Sequence, residues 1–210
     1  MEKVLNHRLA EPDDFNALIA LQRRATLGLS GDHYDLDAMR LALEEVPILT
    51  RDLVDDGHYH VFTDPEGAIV AGGGWSCRAP GFADAAGGTA STLAPGQAFV
   101  RAVNVDPAMA RQGLGRRIMT LIEADAAAQG IRHFLLTATL PGKPLYVGLD
   151  YRVLHPVEGR LSNGYLVRLF AMEKMLVPGA HPRPGSVTPG GFSQAAIADV
   201  SKQDGDFPEA

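Results

Sequence analysis

The chain has 210 residues, with 19 basic and 25 acidic side chains for a formal charge of −6, and 46% of it is hydrophobic. That is one compact domain with room for an appendage, and it excludes disorder throughout. No apolar stretch nears the roughly 20 residues of a membrane-spanning helix, and residues 1–10 carry no apolar leader block. The acidic balance speaks against a general nucleic-acid binder. A soluble cytoplasmic protein with no membrane or nucleic-acid partner is expected.

The single cysteine, Cys77, excludes an intramolecular disulfide and a thiolate zinc cage. Of the cations 15 are Arg, and Arg101, Arg111, Arg116 and Arg117 fall close together, which keeps a local anion site open.

Val4 to Leu9 predicts a first strand. Glu11-Pro12-Asp13-Asp14 starts a helix that Phe15, Leu18, Ile19 and Gln22 continue to about Ala25, and Asp35 or Asp37 caps a second through Leu36, Met39, Leu43 and Val46. His58–Thr63 and Ala68–Cys77 flank the turn residues Asp64-Pro65-Glu66-Gly67 and predict a hairpin. Arg78 to Gln97 has no period and reads as a surface excursion. Phe99, Val103 and Val105 alternate with Val100, Ala102 and Asn104 in a strand that stops at Asp106-Pro107.

Gly113 to Gln129 carries the strongest helical stripe, ended by Gly130, and Phe134–Thr139 is the next strand. Pro141–Tyr146 predicts a short helix or turn, and Arg152–Val157 with Leu166–Met175 a closing pair of strands. The order β, α, α, β, β, β, α, β, α, β, β implies an α/β chain with one mixed sheet flanked by helices. Residues 1–176 form the expected domain. Residues 177–210 hold five Pro and five Gly and are expected to be a flexible tail or an arm on a neighbour.

The chemistry concentrates in Val103-Asn104-Val105-Asp106-Pro107-Ala108-Met109-Ala110-Arg111-Gln112-Gly113-Leu114-Gly115-Arg116-Arg117. A strand ends, glycines clear side chains away, and a helix starts with its first amides unpaired, which with the helix dipole makes an anion cradle. A P-loop needs Gly-Lys-Ser/Thr, and Gly115 is followed by Arg116. A dinucleotide fingerprint needs a third glycine, and Ile118 stands there.

Val103-x-Val105-x-Pro107, Arg111-Gln112-Gly113-Leu114-Gly115, the long helix, and Pro144-Leu145-Tyr146-x-x-Leu149-x-Tyr151 together resemble the GNAT N-acetyltransferase family. Gly73-Gly74-Trp75, Leu140-Pro141-Gly142 and Met172-Glu173-Lys174 resemble a bacterial branch of it, and the likeness covers about Val4 to Leu176. It departs at Ala110, where the family usually has Arg or Gln; Arg111 or Arg116 would supply that contact.

The resemblance implies a mostly antiparallel sheet whose fourth and fifth strands splay apart around acetyl-CoA. The backbone of Val103 and Val105 would hold the pantetheine arm, with Asn104 between them. The amides of Gln112, Gly113, Leu114, Gly115 and Arg116 would hold the pyrophosphate, with Arg111 and Arg117 beside them. Tyr146 matches the family's general acid; a phenol near pKa 10 can share its proton with a thiol near 8.5.

Direct transfer to a primary amine, of a small molecule or a peptide, is the implied reaction, without metal and with a homodimer as the family's habit. Arg101, Tyr34 and Trp75 are the candidates to line the acceptor pocket. Arg101 could instead be a structural ion-pair partner and Trp75 a packed aromatic. No base is singled out among Asp32, Glu44 and Glu45. Cys77 is expected to be a small buried hydrophobe, and His58 and His60, which share a strand face, exposed or satisfied histidines rather than metal ligands. The alternatives are a non-catalytic acyl-CoA-binding module and a protein for another phosphate ligand.

Overall fold

The computed structural model describes residues 4–78, 80 and 93–176. The predicted tail and most of the predicted excursion after Arg78 lie outside the described residues. Strand β1 (Asn6–Leu9) leads through a short 3-10 turn (Pro12–Asp14) into α1 (Phe15–Leu29), followed by α2 (Leu36–Glu45) and α3 (Arg51–Asp55). Then come β2 (Tyr59–Thr63), β3 (Ile69–Ser76), β4 (Gln97–Val105), a 3-10 turn (Pro107–Met109) and α4 (Leu114–Ala128). The chain continues with β5 (His133–Thr139), α5 (Lys143–Val147), β6 (Arg152–Arg160) and β7 (Leu166–Met175).

These strands make one sheet in the order β1-β2-β3-β4-β5-β7-β6. Every neighbouring pair is antiparallel except β4 and β5. On one face α4 buries Leu114, Ile118, Ile122 and Ala126 against Ala98, Val100, Phe134 and Met172. Each such aliphatic side chain removed from water contributes roughly 1.5–3 kcal/mol. On the other face Leu18, Leu21 and Leu53 meet Tyr59, Val61 and Ala102.

Asp35 is the cap of α2, its carboxylate accepting from the Ala38 amide at 2.8 Å. Helix α1 runs a turn beyond the Ala25 expected for it. There a Cβ on Gly28 would stand 2.4 Å from Pro107 Cγ, so the bare backbone receives the turn that follows β4. Helix α3 was not expected, because five residues with Leu53 and Val54 buried are too short to show a period.

Candidate active site

Strands β4 and β5 pair only from Gln97↔His133 to Phe99↔Leu135. Beyond that point β5 stays bonded to β7 as far as Thr139, while β4 stays bonded to β3. The two strands therefore part, and each keeps an unpaired backbone edge toward the gap. The Asp106 amide donates to Val70 O at 2.8 Å. By antiparallel alternation the backbone groups of Asn104 then face β3, and those of Val103 and Val105 face the gap.

A β-bulge sets this alternation. Gly72 pairs with Asn104 but Gly74 pairs with Arg101, so β4 carries an extra residue, and Ala102 has φ +50°. Its carbonyl leaves the ladder and accepts from Tyr59 Oη at 2.7 Å and Asn104 Nδ2 at 3.0 Å. Tyr59 reaches it because β3 is bare at the crossing. A Cβ on Gly72 would lie 2.9 Å from Tyr59 Cε1, and one on Gly74 2.8 Å from Cδ2.

The bulge corrects the expected alternation. Strict alternation puts Arg101 on one face with Phe99, Val103 and Val105. Val103 and Val105 instead pack in the α4 core, while Ala102 joins the opposite core with Tyr59. Tyr59, whose hydroxyl holds the bulge, was not singled out from the sequence. The run Gly72-Gly73-Gly74 inside a strand was its signal, since such glycines mark a close approach.

After β4, Asp106 accepts from the Ala108 amide at 3.0 Å and from Arg24 Nε at 2.8 Å, fixing the turn to α1. Arg111 (φ +63°) and Gly113 (φ +80°) then reverse the chain into α4. Its first helical bond is Arg117 N to Gly113 O at 3.0 Å, and no side chain caps it. The amides of Leu114, Gly115 and Arg116 thus have no helical acceptor.

Gln112 Nε2 turns back to Ala108 O, Arg117 lies 4.4 Å over the Phe62 ring, and Arg116 Nη2 donates to Gly148 O at 2.8 Å. Arg111 is exposed, and nothing among the described residues pairs with it. The two glycines have different tasks. Gly113 supplies the left-handed turn, whereas a Cβ on Gly115 would stand 2.9 Å from Leu145 Cδ2. Gly115 therefore admits α5 to the start of α4.

Through that contact and the Arg116–Gly148 bond, Tyr146 on α5 is held beside the uncapped helix start. Its ring is buried and meets Tyr151 edge-on at 5.8 Å. Burial pushes the phenol up, so it is protonated throughout the ordinary pH range. No described residue partners its hydroxyl.

The acceptor candidates are not brought together, and they sit in separate packing groups. Tyr34 Oη donates to Arg168 O at 2.5 Å and accepts from the Leu140 amide at 2.8 Å, tying the α1–α2 connection to β7 and the end of β5. Trp75 is buried on the α4 side, and its Nε1 donates to Asp125 Oδ2 at 2.7 Å.

Asp125 also takes His58 Nδ1 at 2.8 Å, and His60 Nδ1 lies 3.1 Å from His7 Nε2, so both strand histidines have protein partners. Among the described residues no group of three or more His, Cys, Asp or Glu is arranged to hold a metal. Cys77 is exposed, against the expected burial, because it follows the last strand residue of β3. Glu45 accepts from the Ser162 amide and hydroxyl in the β6–β7 turn.

Arg101 is buried on the α3 side. Its Nη2 donates to Ile48 O and Thr50 Oγ1, each at 3.2 Å. Burial lowers its pKa, opposed by the charges of Asp52 and Asp56 and assisted by Arg78.

A split parallel pair whose bulged central strand runs into an uncapped helix defines an acyltransferase of the GNAT type. The Acetyltransferase (GNAT) family matches residues 29–146, more than half of the chain, and the chain belongs to that family. No curated protein matches it.

Among solved structures it is similar to the PaiA N-acetyltransferase of Thermoplasma acidophilum in complex with coenzyme A (11% identity, TM-score 0.58, covering 82% of this chain and 99% of that one). It is also similar to a GCN5-related N-acetyltransferase from Rhodopseudomonas palustris (14%, TM-score 0.59, 84% and 97%). A third is yncA from Salmonella typhimurium with its cofactor acetyl-CoA (17%, TM-score 0.55, 86% and 98%). At these identities the likeness is one of fold.

Proposed function

We propose that the chain transfers the acetyl group of acetyl-CoA directly to a primary amine of a small molecule or peptide. The observation that carries this reading is the unpaired edge of β4 at Val103 and Val105, continuous with the uncapped start of α4. The edge offers N–H and C=O groups in strand spacing to an amide-bearing pantetheine arm. The amides from Gln112 to Arg116 offer donors to a pyrophosphate. Exposed Arg111 supplies the cation for which Ala110 has no group. Asn104 and Arg117 border the site, but their side chains already bond Ala102 O and cover Phe62.

In the reaction the neutral amine nitrogen bonds to the carbonyl carbon, the carbon–sulfur bond breaks, the thiolate takes a proton from Tyr146, and the proton released by the nitrogen passes to solvent, from which Tyr146 regains its own. Backbone donors at the β4 edge stabilise negative charge developing on the carbonyl oxygen. Tyr146, kept protonated by its burial, gives the proton; a thiolate in the same apolar surroundings has its own proton affinity raised, which brings the two into range.

Calorimetry with acetyl-CoA and coenzyme-release assays on an amine panel test the reading. Tyr146→Phe is expected to keep coenzyme binding and lose roughly 10²- to 10⁴-fold in kcat. Unchanged turnover would remove Tyr146 from the mechanism, and no heat with acetyl-CoA would end the reading.

A further inference from the structure

Arg101 is a buried cation with no anion in direct contact; the charges of Asp52 and Asp56 act on it only from beyond ion-pair distance. Arg101 is 5% exposed, and its two hydrogen bonds go to neutral oxygens, Ile48 O and Thr50 Oγ1. Its Nε is sealed from solvent with no acceptor. Among the described residues no carboxylate comes within ion-pair distance of it. Asp56 is bonded to Arg78 and Ser76, and Asp52 lies 4.0 Å from Arg78. Burying a guanidinium is costly unless an anion or a full set of acceptors meets it, and Arg101 has neither in contact.

Its position indicates which ligand. Arg101 stands two residues past the last β4–β5 pair, Phe99↔Leu135, and next to the bulge at Ala102. The gap therefore opens beside it. Arg101 projects to the face opposite α4, where the α2–α3 connection supplies Ile48 and Thr50.

We propose that Arg101 binds a carboxylate of the acceptor, so that the substrate is an amine carrying a carboxylate, as in a free amino acid. The inference rests on the acetyl-transfer reading and names its substrate class. The guanidinium completes its donor set on the carboxylate while the amine end reaches the gap.

The test uses the full chain loaded with acetyl-CoA. The probes are matched pairs: the common α-amino acids with their carboxamides, and ω-amino acids of three to five carbons with the corresponding alkylamines. Wild type is expected to favour the carboxylate member by about 10- to 100-fold in kcat/KM. Arg101→Gln should bring the two members of a pair to within about threefold, and Arg101→Lys should restore part of the preference.

Equal rates within pairs for wild type, or an equal loss on both members in Arg101→Gln, overturns the proposal. So does the absence of turnover and of thermal stabilisation by every carboxylate-bearing amine. If Arg101→Gln does not fold, the wild-type preference alone decides. Acetyl-CoA heat in the same preparation keeps the two readings apart: heat without carboxylate preference defeats only the Arg101 assignment, and no heat defeats the acetyl-transfer reading beneath it.

Discussion

Removing the hydroxyl of Tyr59 tests how the bulge in β4 is held. Tyr59 is 1% exposed, and Phe fills the same space, so Tyr59→Phe leaves no cavity and deletes one hydrogen bond to Ala102 O. Asn104 Nδ2 still donates to that carbonyl at 3.0 Å, so the expected loss is about 1 kcal/mol, or roughly 2–4 °C in Tm for a chain of this size. Asn104→Ala should cost about the same by the same argument.

The double variant differs in kind. It strips both donors from a buried carbonyl, which adds a desolvation penalty of about 1–3 kcal/mol to the sum of the singles. Urea denaturation of the four proteins gives the coupling directly. KM for acetyl-CoA should rise most in the double variant, because the bulge decides whether Val103 and Val105 face the gap. Additivity within about 0.5 kcal/mol would refute the reasoning, since the carbonyl would then not depend on these two donors.

Gly73→Ala should destabilise by about 2 kcal/mol, read as a Tm loss of roughly 4–8 °C. The new Cβ would stand 2.8 Å from Ile118 Cγ2 and 2.9 Å from Val103 Cγ2, both on stiff branched side chains, and an unchanged Tm would contradict the packing of α4 on the sheet. His7 and His60 both have pKa values lowered, chiefly by burial, although Asp125 opposes the shift at His60. The unfolded chain then binds protons more readily than the folded one, so stability is present above the ordinary histidine pKa of about 6.5 and is lost as pH falls below it. Thermal melts between pH 7.5 and 5.5 should show this decline, and His60→Gln should flatten it; a slope unaltered in the variant would place the titration elsewhere.

The sequence by itself determined every strand, all the helices but α3, and the class of site. The 3.6-residue stripe from Leu114, the turn residues around Gly67, and the strand–glycine–helix passage from Val103 to Arg117 are local patterns, and local hydrogen bonding and side-chain periodicity enforce them wherever they occur. The short helix that carries Tyr146 was legible because its residues are contiguous.

Only the tertiary structure decided which groups face the gap. An extra residue at Ala102 reverses the side of every residue after it, and nothing between Arg101 and Val103 announces it; its cause is the hydroxyl of Tyr59, 43 residues away, admitted by bare glycines on β3. The task of Gly115 depended likewise on Leu145, and the lack of a carboxylate in contact with Arg101 on where Asp52, Asp56 and Arg78 pair. Periodicity fixes what a residue does to its own backbone, whereas the partner of a buried polar group is set by which distant segment closes over it.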